Sequence, residues 1–146
     1  MTITTSEQET LNFASEFSQT LQPNAIVLLS GDLGAGKTCF VRGLCEGLGG
    51  DPRQVNSPTF VIMQEYDIRN NKRLVHIDAY RLSGTEELGT IGWDELLQDK
   101  DAIIAIEWPS KIVSAIPEHA IEIQLEHVDV HSRRINLPET TDPTGY

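Results

Sequence analysis

The segment SGDLGAGKTCF, residues 30–40, has the spacing of a phosphate-binding loop. Gly31 and Gly36 are separated by four residues, and Lys37 and Thr38 follow directly, which gives the pattern G-x-x-x-x-G-K-T. In such a loop the backbone N–H groups turn inward around phosphate, the lysine places a positive charge at the β- and γ-phosphates, and the hydroxyl holds Mg²⁺. The pattern therefore predicts a bound nucleotide, ATP, together with Mg²⁺.

Nucleotide contacts are expected along the whole loop, because its glycines allow the backbone to approach the phosphates closely. The positions concerned are Gly31, Asp32, Leu33, Gly34, Ala35, Gly36, Lys37 and Thr38. Lys37 is also a catalytic candidate, since its charge lies where the transferred phosphoryl group develops negative charge.

Two acids follow apolar runs and are candidates for catalysis. Asp78 comes directly after LVHI and Glu107 comes directly after AIIAI. Parallel strands end at the same edge of a sheet, where nucleotides bind, so both side chains are expected at that edge. One of them can lie near the metal while the other orients the attacking water, and spacing alone does not assign the two roles.

The segment Ser57-Pro58-Thr59 follows the loop and its helix. Switch-type nucleotide hydrolases place a γ-phosphate-sensing loop after that helix, so Thr59 is expected to contact the γ-phosphate or Mg²⁺. The alternative is an ordinary turn leading into a strand.

The chemistry around the loop leaves three functional classes open. Guanine-specific proteins read their base with N-K-x-D, and NKRL at 71–74 lacks the aspartate. Small-molecule kinases carry an arginine-bearing lid, whereas the arginines of this chain are dispersed. From the residues alone, an accessory ATPase, a small-molecule kinase and a non-enzymatic nucleotide-sensing adaptor all stay open.

The elements that position these residues follow from hydrophobic periodicity. Helices are expected from Ser6 through Leu21, from Thr38 to Leu48 and from Thr85 through Leu96. Strands are expected at 25–29, before 68, and at 73–82, 102–109, 120–126 and 133–137. The early strand–loop–helix unit and the later run of strands predict an α/β fold: a P-loop NTPase-type three-layer domain with a mixed, mostly parallel central sheet and antiparallel additions.

The bulk properties restrict partners and location. The formal net charge of −11 opposes direct binding to nucleic acid but permits docking on a partner protein. No apolar run approaches the length of a membrane span and the first residues lack a signal pattern, so a cytoplasmic protein without membrane contact is expected. Length indicates one domain, over 1–137, and the polar, proline-bearing segment 138–146 is expected to be a flexible tail. Trp93 and Trp108 are expected either to pack or to form a partner surface, with packing favoured for Trp93.

Five segments together resemble the TsaE family across residues 6–137: GDLGAGKT, VNSPTFVIMQEYD, LVHIDAYRL, EELGTIGWDELL and AIIAIEWPSKI. The resemblance implies a Mg²⁺-dependent ATPase with weak activity alone and higher activity with its partners. It implies a role in making N6-threonylcarbamoyladenosine in tRNAs that read codons beginning with adenine. The implied partners are TsaD and TsaB, with tRNA reached indirectly through their complex.

The resemblance also assigns residues. It implies that Thr38 and Glu107 bind Mg²⁺, that Asp78 has a catalytic role, and that nucleotide contacts come from residues 34–38 and from Cys39. Further nucleotide contacts are implied for Glu7 and Arg133. Many members of the family carry a second threonine where this chain has Cys39, so the backbone N–H contact is expected to persist, while loss of the hydroxyl is expected to lower affinity somewhat.

Overall fold

The computed structural model describes residues 1–32, 34–56, 63–82 and 84–138. Its strands are β1 (Thr2–Thr4), β2 (Ile26–Ser30), β3 (Met63–Ile68), β4 (Lys72–Asp78), β5 (Ala102–Glu107), β6 (Ile121–His127) and β7 (Arg133–Asn136). The α-helices are α1 (Glu7–Ser18), α2 (Lys37–Gly47) and α3 (Trp93–Gln98). Short 3-10 helices cover Pro52–Gln54, Arg69–Asn71, Thr85–Ile91 and Pro109–Ala115.

The described strands form one mixed sheet in the order β1-β7-β6-β2-β5-β4-β3. The central strands β6, β2, β5 and β4 are mutually parallel. The remaining pairs, β3 with β4, β7 with β6 and β1 with β7, are antiparallel. The predicted fold class, a mixed α/β sheet with antiparallel additions, is therefore confirmed.

Helices and 3-10 segments cover the two faces of the sheet and make it the middle of three layers. Every residue of β5 is buried, as expected for a central strand with no polar face. One apolar cluster joins Val27, Leu29 and Ala105 to residues of α1 and α2. A second cluster joins alternate residues of the same strands to Trp93 and Leu96 of α3.

The register of the parallel strands determines where the functional residues meet. Asp78 of β4 pairs with Glu107 of β5, and Leu29 of β2 pairs with the same glutamate. The phosphate-binding segment begins directly after β2 and leads into α2. The two acids and the N-terminal end of α2 therefore meet at one edge of the sheet.

Several predicted element boundaries were wrong, including the end of the strand expected at 102–109, which stops at Glu107. Residues 85–96 form two helices because Gly92 adopts a left-handed conformation with φ of 73°. Thr85 does not cap the first of them, since Gly84 occupies the N-cap position. Strand β4 ends at Asp78 because the Asp78 carboxylate accepts a hydrogen bond from the Tyr80 N–H at 2.9 Å and turns the chain.

The first helix, α1, also ends earlier than predicted, at Ser18. Ser6 caps it by accepting a hydrogen bond from the Glu9 N–H at 3.0 Å, as the sequence pattern indicates. Strand β1, which pairs with β7, was not predicted at all.

Some predictions lie outside the described residues, namely those for Leu33, for Ser57, Pro58 and Thr59, and for residues 139–146 of the expected tail. Within the described ranges, no helix combines the length and apolar character that crossing a bilayer requires.

Candidate functional site

A pocket of about 520 Å³ opens at the carboxyl edge of the central strands. It brings together residues that are far apart in the sequence and that were singled out from it: Glu7, Gly34, Gly36, Lys37, Thr38, Cys39, Asp78, Glu107 and Arg133. The loop residues Gly31, Asp32 and Ala35 are not part of its lining. Gly31 and Asp32 instead line a smaller depression on the other side of the loop.

The loop between β2 and α2 requires glycine at two of its positions. A Cβ on Gly31 would lie 2.4 Å from the Leu125 carbonyl oxygen, so the close approach to β6 excludes any side chain. Gly36, the N-cap residue of α2, has a φ of 98°, which L-residues with side chains rarely adopt. These glycines fix the path of the loop toward the pocket.

The N-terminal end of α2 lines the pocket. Gly36 has no side chain with which to cap the helix, and the first turn contains no acidic residue. The first N–H groups of an α-helix lack partners within the helix and carry a partial positive charge. The arrangement is suited to binding an anion such as phosphate.

Lys37 lies folded against the loop and is almost completely buried. Its ammonium donates to the carbonyl oxygens of Gly31 at 2.5 Å and Asp32 at 3.0 Å. The same ammonium lies 3.9 Å from the centroid of the Trp108 ring, a cation–π distance. Burial lowers the pKa of Lys37, and the carboxylates of Glu107, Asp78 and Asp32 partly oppose that shift.

Glu107 and Thr38 bring two oxygen groups together beside Lys37. Glu107 is only 4% exposed, and the Thr38 hydroxyl lies 3.4 Å from its Oε2 atom. His76 Nε2 contacts the same oxygen at 2.5 Å. Carboxylate and hydroxyl oxygens are the ligand types that Mg²⁺ prefers, so this pair fits that cation.

In the described part of the chain, no group of three or more His, Cys, Asp or Glu residues could hold a metal ion. Mg²⁺ in nucleotide sites is held by one or two protein oxygens together with phosphates and water. The pair Thr38 and Glu107 has the ligand number of such a shared site.

Asp78 faces the pocket beside Glu107 but in a different environment. Its Oδ1 atom accepts the Tyr80 N–H at 2.9 Å. Burial raises the pKa of the Asp78 carboxyl, and the charge of Glu107 raises it further, while the hydrogen bond from Tyr80 opposes both. A carboxylate with a raised pKa is better suited than an ordinary one to accept a proton from water.

Trp108 is a pocket residue whose role was left open by the sequence. It has a left-handed backbone with φ of 58°, which is uncommon for a residue with a side chain and occurs at functional sites. Its ring packs against Tyr80 with centroids 5.0 Å apart. Trp93, by contrast, is buried, and its Nε1 donates to the Ala115 carbonyl at 3.2 Å, so packing is confirmed for it. The position of Trp108 directly after Glu107, where β5 ends, was the signal available in the sequence.

The far side of the pocket is formed by α1 and β7. Cys39 Sγ lies 3.7 Å from the Glu7 carbonyl oxygen, and an Arg42 guanidinium nitrogen lies 3.8 Å from the Glu7 carboxylate. Burial, followed by the Glu7 charge, raises the pKa of Cys39 to about 11, so its thiol is neutral at physiological pH. Side-chain atoms of Arg133 lie 3.6 Å from the position of a Cβ on Gly36, which places this arginine against the loop.

Comparisons with known proteins assign the chain to a family. The model of the family described as threonylcarbamoyl adenosine biosynthesis protein TsaE matches residues 4–135. The chain belongs to this family. A tRNA threonylcarbamoyladenosine biosynthesis protein TsaE from Rickettsia bellii is 40% identical over 136 residues, which are 93% of this chain and 92% of the relative.

Two further similarities are to proteins of other bacteria. The protein of the same description from Borreliella burgdorferi is 44% identical over 77% of this chain and 80% of its own length. Among solved structures, Bacillus subtilis YdiB superimposes with a TM-score of 0.72 at 28% identity, covering 93% of this chain and 82% of that chain. The last similarity extends across nearly the whole fold of this TsaE-family chain.

Proposed function

We infer that this chain binds and hydrolyses ATP with Mg²⁺ and thereby supports formation of N6-threonylcarbamoyladenosine in tRNA. The observation that carries the proposal is the convergence of Lys37, Thr38, Asp78 and Glu107 on the pocket that α2 and its preceding loop open. These residues supply the positive charge, hydroxyl and carboxylates that phosphoryl transfer from ATP requires. The family to which the chain belongs supplies the biological process.

In this proposal each residue has one task. The N–H groups of the first turn of α2 bind the phosphates, and the Lys37 ammonium exchanges its carbonyl partners, Gly31 and Asp32, for phosphate oxygens. Thr38 and Glu107 hold Mg²⁺, which when bound neutralises the negative charge on the phosphate oxygens. Asp78 orients the attacking water and accepts its proton.

The energetics of Lys37 support the exchange. The ammonium is buried against two neutral carbonyls and an aromatic ring, and burial lowers its pKa. Hydrogen bonds between two charged partners are stronger than those between a charge and a neutral carbonyl. Phosphate oxygens therefore stabilise the buried charge better than its present partners do.

The proposed partners are TsaD and TsaB, and ATP hydrolysis resets their complex between rounds of tRNA modification. The support for a protein partner is electrostatic: a chain with a formal net charge of −11 has little attraction for tRNA itself. Such a chain reaches the tRNA through proteins that bind it.

The experiment is a reconstituted tRNA modification assay with TsaD, TsaB, ATP and either wild-type protein or a variant. Wild type is expected to sustain repeated turnover, while Glu107→Ala and Asp78→Ala stop after about one round. A Glu122→Ala variant serves as the control, because this carboxylate lies on the exposed face of β6, away from the pocket. Modification that proceeds equally without the protein would contradict the proposal.

The two alternative functions predict different results in the same assay. A small-molecule kinase would leave the phosphate on a metabolite rather than release it into solution. A nucleotide-sensing adaptor would retain full function in Asp78→Ala and Glu107→Ala variants that still bind ATP.

A further inference from the structure

A buried histidine lies behind the pocket and has no task in the function proposed so far. His76 is on β4, two residues before Asp78, and its side chain is completely buried. No local sequence pattern singled it out. A buried imidazole is costly unless both ring nitrogens have partners.

Both ring nitrogens of His76 contact polar side chains from neighbouring strands. Nε2 lies 2.5 Å from Glu107 Oε2 on β5, and Nδ1 lies 3.2 Å from the Tyr66 hydroxyl on β3. The Tyr66 hydroxyl also lies 2.5 Å from Gln64 Oε1. A line of polar side chains therefore crosses three adjacent strands within the sheet and ends at the pocket.

The bond at Nε2 fixes one oxygen of the glutamate. A carboxylate only accepts hydrogen bonds, so Nε2 carries the hydrogen and donates it to Oε2. The Thr38 hydroxyl lies 3.4 Å from the same Oε2 atom. The imidazole thus sets the rotation of the carboxylate relative to Thr38, while Tyr66 sets the rotation of the imidazole.

We propose that His76 is a positioning residue that holds the Glu107 carboxylate in the orientation in which it shares a divalent cation with Thr38. The inference rests on the proposed function, because it assigns Glu107 and Thr38 to that cation. Groups that orient a metal ligand act through it, and replacing them commonly weakens metal binding by about 10- to 100-fold.

A purely structural role makes a different prediction. If His76 only filled the core, its loss would lower the free energy of unfolding and leave the cation dependence of nucleotide binding unchanged. The readout must therefore separate the effect of Mg²⁺ from stability and from affinity for the nucleotide itself.

A matched pair of variants makes this separation. His76→Gln places an amide nitrogen where Nε2 lies, so it retains a donor to Glu107. His76→Asn is one carbon shorter and retains a polar group only near Nδ1, toward Tyr66. Both variants bury an amide of similar polarity at the same site, so their stabilities are expected to be similar, which urea unfolding checks.

The measurement is calorimetric titration with a non-hydrolysable ATP analogue, in excess Mg²⁺ and in excess EDTA. The ratio of the two dissociation constants gives the gain in affinity due to Mg²⁺. We expect His76→Asn to reduce that gain about 10-fold, with the affinity in EDTA changed less than about 2-fold. His76→Gln is expected to keep the gain within about 3-fold of wild type.

Two failures are distinguishable. An undiminished Mg²⁺ gain in His76→Asn, with wild type binding normally, overturns the role of His76 and leaves the proposed function intact. Wild-type protein that binds the analogue neither with Mg²⁺ nor without it overturns the proposed function and this inference together.

Discussion

Asp78 and Glu107 are neighbouring carboxylates on adjacent strands, yet their surroundings differ. Glu107 is almost completely buried and contacts His76 and Thr38, which restricts its carboxylate to one orientation. Asp78 is more exposed, and its carboxylate accepts a hydrogen bond from the Tyr80 N–H in the following turn. This difference favours Glu107 as the ligand of a cation, because its carboxylate is held in one orientation. It favours Asp78 as the residue that orients the attacking water, because its carboxylate is more exposed.

The raised pKa of Asp78 predicts a gain in stability when its charge is removed. An acid with a higher pKa in the fold than in the unfolded chain destabilises the fold once it ionises, so the penalty is present above the raised pKa and absent below the ordinary value. Asp78→Asn is therefore expected to raise the melting temperature by a few degrees at pH 8 and to have no such effect near pH 3. Scanning calorimetry at both pH values checks this.

The control for that measurement is Asp78→Ala. Asparagine retains the oxygen that accepts the Tyr80 N–H, whereas alanine loses it, so alanine should give less stabilisation at pH 8. ATP turnover should fall about 100-fold or more in both variants. If Asp78→Asn changed the melting temperature by the same amount at both pH values, ionisation of Asp78 would not be the cause of the change.

Functional residues that belong to a local sequence pattern could be predicted from the sequence. Contacts that depend on the register between paired strands could not. Lys37 and Thr38 belong to a continuous motif, and Asp78 and Glu107 were found because each follows an apolar run. The contact between His76 and Glu107 depends on the pairing of β4 with β5, which no spacing in the sequence encodes.

At the scale of elements, the pocket depends on close contact between α1 and α2. A Cβ on Gly43 of α2 would lie 2.5 Å from both Ala14 Cβ and the Leu11 carbonyl oxygen of α1. A Cβ on Gly47 would lie 2.1 Å from Ser18 Oγ. These glycines permit the approach that brings the first turn of α1, with Glu7, to the pocket.

Replacing Gly43 by alanine is expected to destabilise the protein although alanine favours helix by about 1 kcal/mol. The added methyl group forces α1 and α2 apart, and such overpacking costs roughly 1–3 kcal/mol. Urea unfolding measures the change. Gly89→Ala is the control, since a Cβ there would contact nothing within 4 Å and Gly89 has no positive φ. Equal stability of the two variants would show that the helix contact is not tight.

The region 85–96 shows why element boundaries were harder to predict than element types. Leu88, Trp93 and Leu96 are buried, so the apolar pattern continues across the break at Gly92. The left-handed φ of Gly92 interrupts the helix without interrupting that pattern. Hydrophobic periodicity identifies the buried face but does not reveal a backbone change at a single glycine.

The net charge of the whole chain favours action through a partner protein over direct binding to tRNA. The chain has 11 basic and 22 acidic residues, so its average field repels the phosphate backbone.

The fold class could be predicted from the sequence because the buried apolar runs and the loop–helix unit are local signals. The strand order could not, because it depends on pairings between distant segments.

The charge predicts that the protein alone does not retain tRNA. In an electrophoretic mobility assay at physiological salt we expect no shift at protein concentrations up to about 10 μM, where weak non-specific binders of nucleic acid begin to bind. Adding TsaD and TsaB should produce a shifted complex that contains the protein. A shift by the protein alone that weakens as salt rises would show direct contact with the tRNA backbone.

We propose that the pocket hydrolyses ATP with the help of Glu107, and a phosphate-release assay measures that activity. With Mg²⁺, wild-type protein is expected to release phosphate slowly alone and faster when TsaD and TsaB are added. Chelation of Mg²⁺ should lower the rate about 100-fold or more, because Mg²⁺ neutralises charge on the phosphate oxygens. The change Glu107→Gln should have a similar effect, because it removes the carboxylate that holds Mg²⁺. No phosphate release by wild type in the presence of TsaD and TsaB, or an equal rate in Glu107→Gln, would show that the pocket does not hydrolyse ATP in this way.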